Sequence, residues 1–364
     1  MSAAARCNRR LLFLVLLVAL ALATLAGPAN ARPERPAPVG SDPFQPGLAY
    51  RGDFPDPTVW RVGGRFYAAA TTVAALNLPM TTSTDLLHWT ARQAPDPDKP
   101  WLNDAMAQPA RWARTMTAAG GRTFAATWAP SVARIGTGAA TRFVAAYSVI
   151  RASDGRRCLS LARSRTPFGP YVDSTTGPLV CGARGALDPQ LYVEGRAVWM
   201  FVKLEGAPDR ILVRRMNSYA SGFASSSRAY TLLTPRAAWE GSVVENPAMI
   251  RYRGHRYLFY SGNGYGSARY ATGYAACRSV VGPCRRVARI LYSGRYLAGP
   301  GGATPFVDLS GRLRLAYHAW RTGHVGYPAT DACLKSTAGC AQRRMYVATL
   351  AASSTGRLVL RDWF

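Results

Sequence analysis

A short unit recurs five times along this chain at nearly even spacing, and that repeat restricts the possible folds more than any other feature. Each unit opens on a turn-forming residue, runs into a strand pattern, turns, and returns as an aromatic-rich strand. The clearest copy is Asp53-Phe54-Pro55-Asp56-Pro57, then a strand pattern over 58–62, a Gly63-Gly64 turn and a second strand over 65–70. Asp188-Pro189 leads into 191–193, a Glu194-Gly195 turn and 197–201. Glu245-Asn246-Pro247 leads into 249–252, an Arg253-Gly254 turn and 257–260. With Pro130 and Gly302 added, the anchors are Asp56, Pro130, Asp188, Glu245 and Gly302, spaced 74, 58, 57 and 57 residues apart. Further strands are expected at 78–83, 158–162, 211–215, 270–275 and 345–350. Units of about four strands predict an all-β fold, a five-bladed β-propeller. A β-sandwich also has many short strands, but not five matched units with acids in register. In a propeller the first strand of each blade lines the axis, so the anchors converge at one end of the channel. No convincing amphipathic helix is present; residues 104–117 read as a helix or an irregular insertion.

Ahead of the repeat, Arg6, Arg9 and Arg10 precede an apolar run over 11–25, and Ala29-Asn30-Ala31 fits the small-x-small cleavage rule. A membrane anchor is the alternative, but the run falls short of the roughly 20 apolar residues a span needs. Residues 1–31 therefore read as a cleaved signal peptide, 32–49 as a flexible Pro- and Arg-rich segment, and 50–364 as one catalytic domain of a secreted protein. Cys7 leaves with the leader. The even remainder suggests disulfides between Cys277 and Cys284, Cys333 and Cys340, and Cys158 and Cys181, although spacing does not prove connectivity. No Cys-x-x-Cys or His-x-x-x-His spacing supports a metal site. The net charge is +26, yet the arginines are scattered, with no basic run or basic helix. That pattern argues against a nucleic-acid partner and allows at most a loose association with an acidic cell-wall polymer. Nothing after the leader is apolar enough to insert stably into a membrane.

Two carboxyl groups across a pocket are the minimum equipment for glycoside hydrolysis, and Asp56, Asp188 and Glu245 supply three at matching places. Clustered carboxylates do not all ionise cheaply, so their pKa values split into acid and base. The bland alternative is that Asp-Pro and Asn-Pro simply begin turns. It suits any one site, but not three in register.

Several short motifs, in order, make the chain resemble glycoside hydrolase family 43 from about residue 50 to its end. They are Phe54-Pro55-Asp56-Pro57, Asn77-Leu78-Pro79, Trp128-Ala129-Pro130, Leu187-Asp188-Pro189, Val244-Glu245-Asn246-Pro247, Gly299-Pro300-Gly301-Gly302 and Tyr317-His318-Ala319-Trp320. The resemblance implies an inverting hydrolase of arabinose- or xylose-containing poly- or oligosaccharides. Asp56 is then the general base, Glu245 the general acid, and Asp188 the residue that orients and tunes the acid. Glu240 in Trp239-Glu240-Gly241 is a rival acid, and Asp53 competes with Asp56. Phe54, Asn77 and Trp128 are the substrate-binding candidates, and Ser131 replaces an acid often found after Trp-Ala-Pro. No cofactor is required; the resemblance places His318 near the axis, where a structural calcium is possible. Residues 262–266 read as a loop at the pocket rim. Two alternatives stay open: a retaining, fructosidase-type propeller with an Asp nucleophile, and a catalytically silent carbohydrate-binding propeller. A serine-hydrolase triad finds no Gly-x-Ser-x-Gly.

Overall fold

The computed structural model describes residues 47–93, 103–118, 121–327 and 341–363. The leader and the Cys333/Cys340 pair lie outside these residues. Strand β1 (Leu48–Tyr50) comes first. Blade I is a meander of β2 (Thr58–Val62), β3 (Arg65–Ala69), β4 (Met80–Ser83) and β5 (Thr90–Ala91). A hairpin of β6 (Thr115–Thr117) and β7 (Thr123–Ala125) follows, and the described residues before it form no α-helix. Blade II contains β8 (Thr127–Ile135), β9 (Arg142–Ile150) and β10 (Arg157–Ser164). Blade III is β11 (Ala186–Glu194), β12 (Ala197–Leu204), β13 (Arg210–Arg215) and β14 (Ala229–Leu233). Blade IV is β15 (Val244–Tyr252), β16 (His255–Gly262), β17 (Ala271–Cys277) and β18 (Cys284–Leu291). Blade V is β19 (Leu297–Val307), β20 (Leu313–Arg321) and β21 (Arg344–Ala352), with β22 (Leu358–Trp363) on its edge.

The five expected sheets are present, and each later strand falls where the sequence placed it. Blade II differs: single bridges from Val180 and Val172 to Leu159 and Arg163 stand in place of a fourth strand. The blade III turn is Gly195-Arg196, one residue later than expected, because Glu194 still pairs with Ala197. The ring closes at β21. Leu48 and Tyr50 of β1 pair with its first half, and β22 pairs with Ala348 to Ala352. The core is split into five clusters, one at each blade interface. Burying each large side chain there contributes about 1.5–3 kcal/mol, so the blades are held by packing between neighbours. Disulfides Cys158–Cys181 and Cys277–Cys284 are formed, the second across the β17–β18 hairpin.

The repeat has a specific backbone form. At the repeated position of each blade a residue sits in the left-handed region: Asp56 (φ 52°), Ala129 (43°), Asp188 (55°), Asn246 (48°) and Gly302 (58°). In blades II to V it lies in a bulge, where two residues of the inner strand are skipped in pairing. Asp and Asn tolerate this conformation better than most residues, and Gly tolerates it freely. The equivalences therefore correct the sequence reading by one residue in two blades. Ala129, not Pro130, and Asn246, not Glu245, occupy the repeated position; Glu245 stands one residue ahead of it.

The bulge leaves the backbone N–H of each left-handed residue without a ladder partner, and the preceding blade supplies one. Thr71 Oγ1 accepts from Ala129 (2.8 Å), Ser148 Oγ from Asp188 (3.0 Å), Ser261 Oγ from Gly302 (3.0 Å) and His318 Nδ1 from Asp56 (3.0 Å). Blade III breaks the series. Its residue at that register is Lys203, which pairs with Leu187 just as Ser148 pairs with Trp128 and Ser261 with Glu245. An ammonium only donates. The Asn246 N–H goes instead to Asp188 Oδ2 at 2.9 Å, and the lysine turns to Glu245. One substitution in a fivefold pattern thus knits Asp188, Glu245 and Lys203 into a single cluster.

Candidate active site

The inner strands enclose a channel cavity of about 160 Å³ whose lining includes Asp56, Asp188, Asn246 and Gly302. Asp56 and Asp188 occupy the same place on blades I and III, so both carboxyls reach the channel. Glu245 stands beside it on blade IV.

Asp56 is half-buried and densely held. Thr71 Oγ1 donates to its Oδ2 at 2.7 Å, and Arg343 Nη1 donates to its two oxygens at 3.3 and 3.4 Å. Burial pushes its pKa up, but the Arg343 charge and the donated hydrogen bonds outweigh burial, and the net shift is downward. Asp56 is therefore ionised at neutral pH. Gly302 makes the space: a Cβ there would lie 2.6 Å from His318 Nδ1 and 2.8 Å from Asp56 Oδ1. Arg343 is itself boxed by Tyr265, Tyr327 and Trp320, with its guanidinium 4.8, 5.3 and 6.0 Å from their ring centres.

Asp188 is the opposite case. Burial, then the charges of Glu245 and Asp56, push its pKa up to about 8, against the pull of Lys203 and the Asn246 N–H. It keeps its proton at neutral pH. Glu245 Oε2 receives Lys203 Nζ at 2.8 Å, and the same ammonium lies 3.2 Å from Asp209. Tyr270 completes the floor: its hydroxyl accepts from Asn246 Nδ2 at 3.0 Å, and its ring stacks on His318 at 5.7 Å.

The other candidates divide sharply. Glu240 is fully enclosed and accepts from the Arg236 and Ala237 N–H groups (2.6 and 3.0 Å), Tyr260 Oη (2.6 Å) and Arg286 Nε (2.6 Å). It is a structural hub and offers no oxygen to a substrate. Asp53 receives the Arg343 N–H and the Tyr327 hydroxyl; burial pushes it up to about 6. It braces Arg343, and through Arg343 the Asp56 carboxylate. Phe54 is 1% exposed and packs edge-on against Tyr50 between blades V and I, so it does not stack on a sugar. Asn77 is wholly buried, bonded to Asp104 and to the Ala125 N–H, and is structural too. Trp128 is half-buried, one residue before the blade II bulge, where it pairs with Ser148. Ser131 ties blade II to blade III by accepting the Leu191 N–H at 3.0 Å. The loop bearing Tyr265 does lie at the rim: Tyr265 is 49% exposed over Arg343, and its carbonyl accepts Trp320 Nε1.

His318 does not fit direct ligation of a calcium ion. An amide N–H only donates, so the Asp56 N–H assigns the lone pair of Nδ1 to that bond and puts the ring proton on Nε2. Burial holds the ring neutral by lowering its pKa to about 3. Neither nitrogen then has a lone pair for a metal, and hard cations favour several oxygen ligands. No group of three His, Cys, Asp or Glu side chains suited to a metal occurs among the described residues.

Sequence reasoning missed Arg343, Lys203, Thr71 and Tyr270. One signal was available. Thr71, Ser148, Lys203, Ser261 and His318 are spaced 77, 55, 58 and 57 residues apart, a second comb trailing the first. Arg343 carried no such signal.

Comparisons with known proteins agree with this architecture. The family model for glycosyl hydrolases family 43 matches residues 49–336. A thermostable family-43 glycoside hydrolase is similar in structure, with a TM-score of 0.67, 20% identity, and 86% of this chain and 94% of that one covered. An endo-1,4-beta-xylanase from Bacteroides thetaiotaomicron VPI-5482 has a TM-score of 0.63 and 20% identity, with 86% and 96% covered. An exo-1,5-alpha-L-arabinanase from a bovine ruminal metagenomic library has a TM-score of 0.61 and 17% identity, with 86% and 98% covered. No curated protein matches the sequence.

Proposed function

Since the chain belongs to glycosyl hydrolase family 43, we propose that it is a secreted, inverting hydrolase that removes arabinose or xylose units from glycans by single displacement. The observation that carries the reading is the unequal surroundings of two equivalent aspartates, Asp56 against the Arg343 guanidinium and Thr71 hydroxyl, Asp188 against the Asn246 N–H beside the Glu245–Lys203 pair. Asp56 is held ionised by Arg343 and Thr71, while Asp188 retains a proton beside Glu245. Asp56 takes a proton from water as that water attacks the anomeric carbon. Glu245 gives a proton to the departing oxygen. Asp188 holds the proton at neutral pH, and that proton passes to Glu245 as the leaving group departs. Lys203 fixes the Glu245 side chain until the leaving group displaces it. Single displacement needs room for water, and a base–acid separation of roughly 6.5–9.5 Å is expected. The two disulfides and the N-terminal leader support export, and among the described residues no helix is long and apolar enough to cross a membrane.

The test is a panel of aryl arabinofuranosides, aryl xylosides and linear arabinan with the wild type and Glu245→Gln. Loss of a general acid is expected to cost about 10²–10⁴-fold on poor leaving groups and much less on activated ones. Equal losses across the panel contradict Glu245 as the acid. A wild type that binds glycan and cleaves none of the panel establishes the binding-propeller alternative.

A further inference from the structure

The antiparallel order of blade IV puts the start of β15, the end of β16, the start of β17 and the end of β18 on one face, the face that carries Glu245. A second cavity of about 560 Å³ opens there, farther out along the blade, lined in part by Trp239, Asn263, Arg269, Arg289, Tyr292 and Ser293. We propose that this cavity binds an acidic sugar, a uronic-acid unit carried on the leaving-group part of the glycan.

Position is the first argument, and it rests on the hydrolase reading. The oxygen protonated by Glu245 stays with the leaving group, so that part of the chain departs on the blade IV side. Shape is the second. The Trp239 indole lies against two glycines of the sheet: a Cβ on Gly262 or Gly273 would come within 2.8 or 2.5 Å of the ring. Asn263 Nδ2 holds the Trp239 carbonyl at 2.6 Å. Tyr292, 59% exposed, supplies a second aromatic surface. Flat rings of this kind suit the apolar face of a pyranose.

Charge is the third argument. Arg269 and Arg289 both line the cavity, no Asp or Glu does, and neither guanidinium has an ion-pair partner among the described residues. Arg286, on the same strand as Arg289, is by contrast committed to Glu240. Arg289 is held over the Tyr292 ring at 4.8 Å, which steadies its planar fork beside the sugar platform. A guanidinium so placed favours a carboxylate through paired hydrogen bonds.

The experiment titrates methyl glucuronide and methyl glucoside into the wild-type protein, followed by ligand-observed NMR at low salt. These sugars need not be cleaved, so the result does not depend on catalysis; turnover of neutral aryl glycosides tests the hydrolase reading separately. The glucuronide is expected to bind about fivefold more tightly, as two exposed guanidinium pairs allow. Arg269→Gln/Arg289→Gln should abolish the preference. Arg285→Gln, an exposed arginine of the same strand outside the cavity lining, should preserve it. Equal binding of the two sugars by the wild type overturns the proposal. So does a preference that survives the double substitution, because it would then arise from the general positive charge.

Discussion

Replacing Arg343 by methionine should strip Asp56 of the cation that keeps it ionised. The side chain is 7% exposed, and its Nη1 lies 3.3 Å from Asp56 Oδ1. At that distance and an effective dielectric near 20, the attraction is about 5 kcal/mol. Breaking a buried pair from one side costs about 3–5 kcal/mol in measured cases, so the two figures agree. For a domain of this size that corresponds to a fall in melting temperature of roughly 10 °C. The sign follows from linkage. A carboxylate with a depressed folded pKa stabilises the fold above its unfolded pKa, and that contribution is lost as pH falls through the folded value. Arg343→Met removes the contribution, and the folded pKa of Asp56 rises. The assay is kcat/KM against pH on an aryl glycoside that the wild type cleaves, which reports the free enzyme. The acidic limb should move to higher pH, and Arg343→Lys should bring it part of the way back. If the limb stays in place while activity merely drops, Arg343 does not set the charge of the base.

Two further outcomes follow from the same carboxyl inventory. Glu240→Gln should cost about 3 kcal/mol of stability, because it leaves Arg286 without its buried partner, yet leave unchanged the dependence of rate on leaving group; a loss confined to poor leaving groups would make Glu240 the acid after all. Asp188 holds a proton up to about pH 8 that the unfolded chain releases near 3.8, so its contribution to stability falls as pH rises between those values. Asp188→Asn should therefore raise the melting temperature relative to wild type more at pH 8 than at pH 4, and an equal effect at both would contradict the raised pKa.

The blades were legible because their strands pair with neighbours in sequence, so that alternation and turn residues carry the whole pattern. The five anchors were found to within one residue. The error at Pro130 and Glu245 arose because proline marks the bulge without marking which residue takes the left-handed turn. Phe54 and Asn77 were misread for a related reason: a motif shows that a position matters, not whether it faces sugar or the next blade. Arg343 was invisible because it reaches Asp56 across the ring closure, 287 residues away in sequence. Lys203 stood in plain view as one of only three lysines, but its meaning depends on knowing that the other blades place a hydroxyl or an imidazole there.

The stereochemistry of the first product tests the central claim most directly. Proton NMR of the released sugar, recorded before mutarotation, reads the anomer formed at the site. Water activated by Asp56 and a proton delivered by Glu245 in one displacement predict an anomeric configuration opposite to that of the substrate. Retention would require a covalent intermediate and a carboxyl spacing of roughly 5–5.5 Å, and would contradict the assignment of Asp56 as a base acting through water.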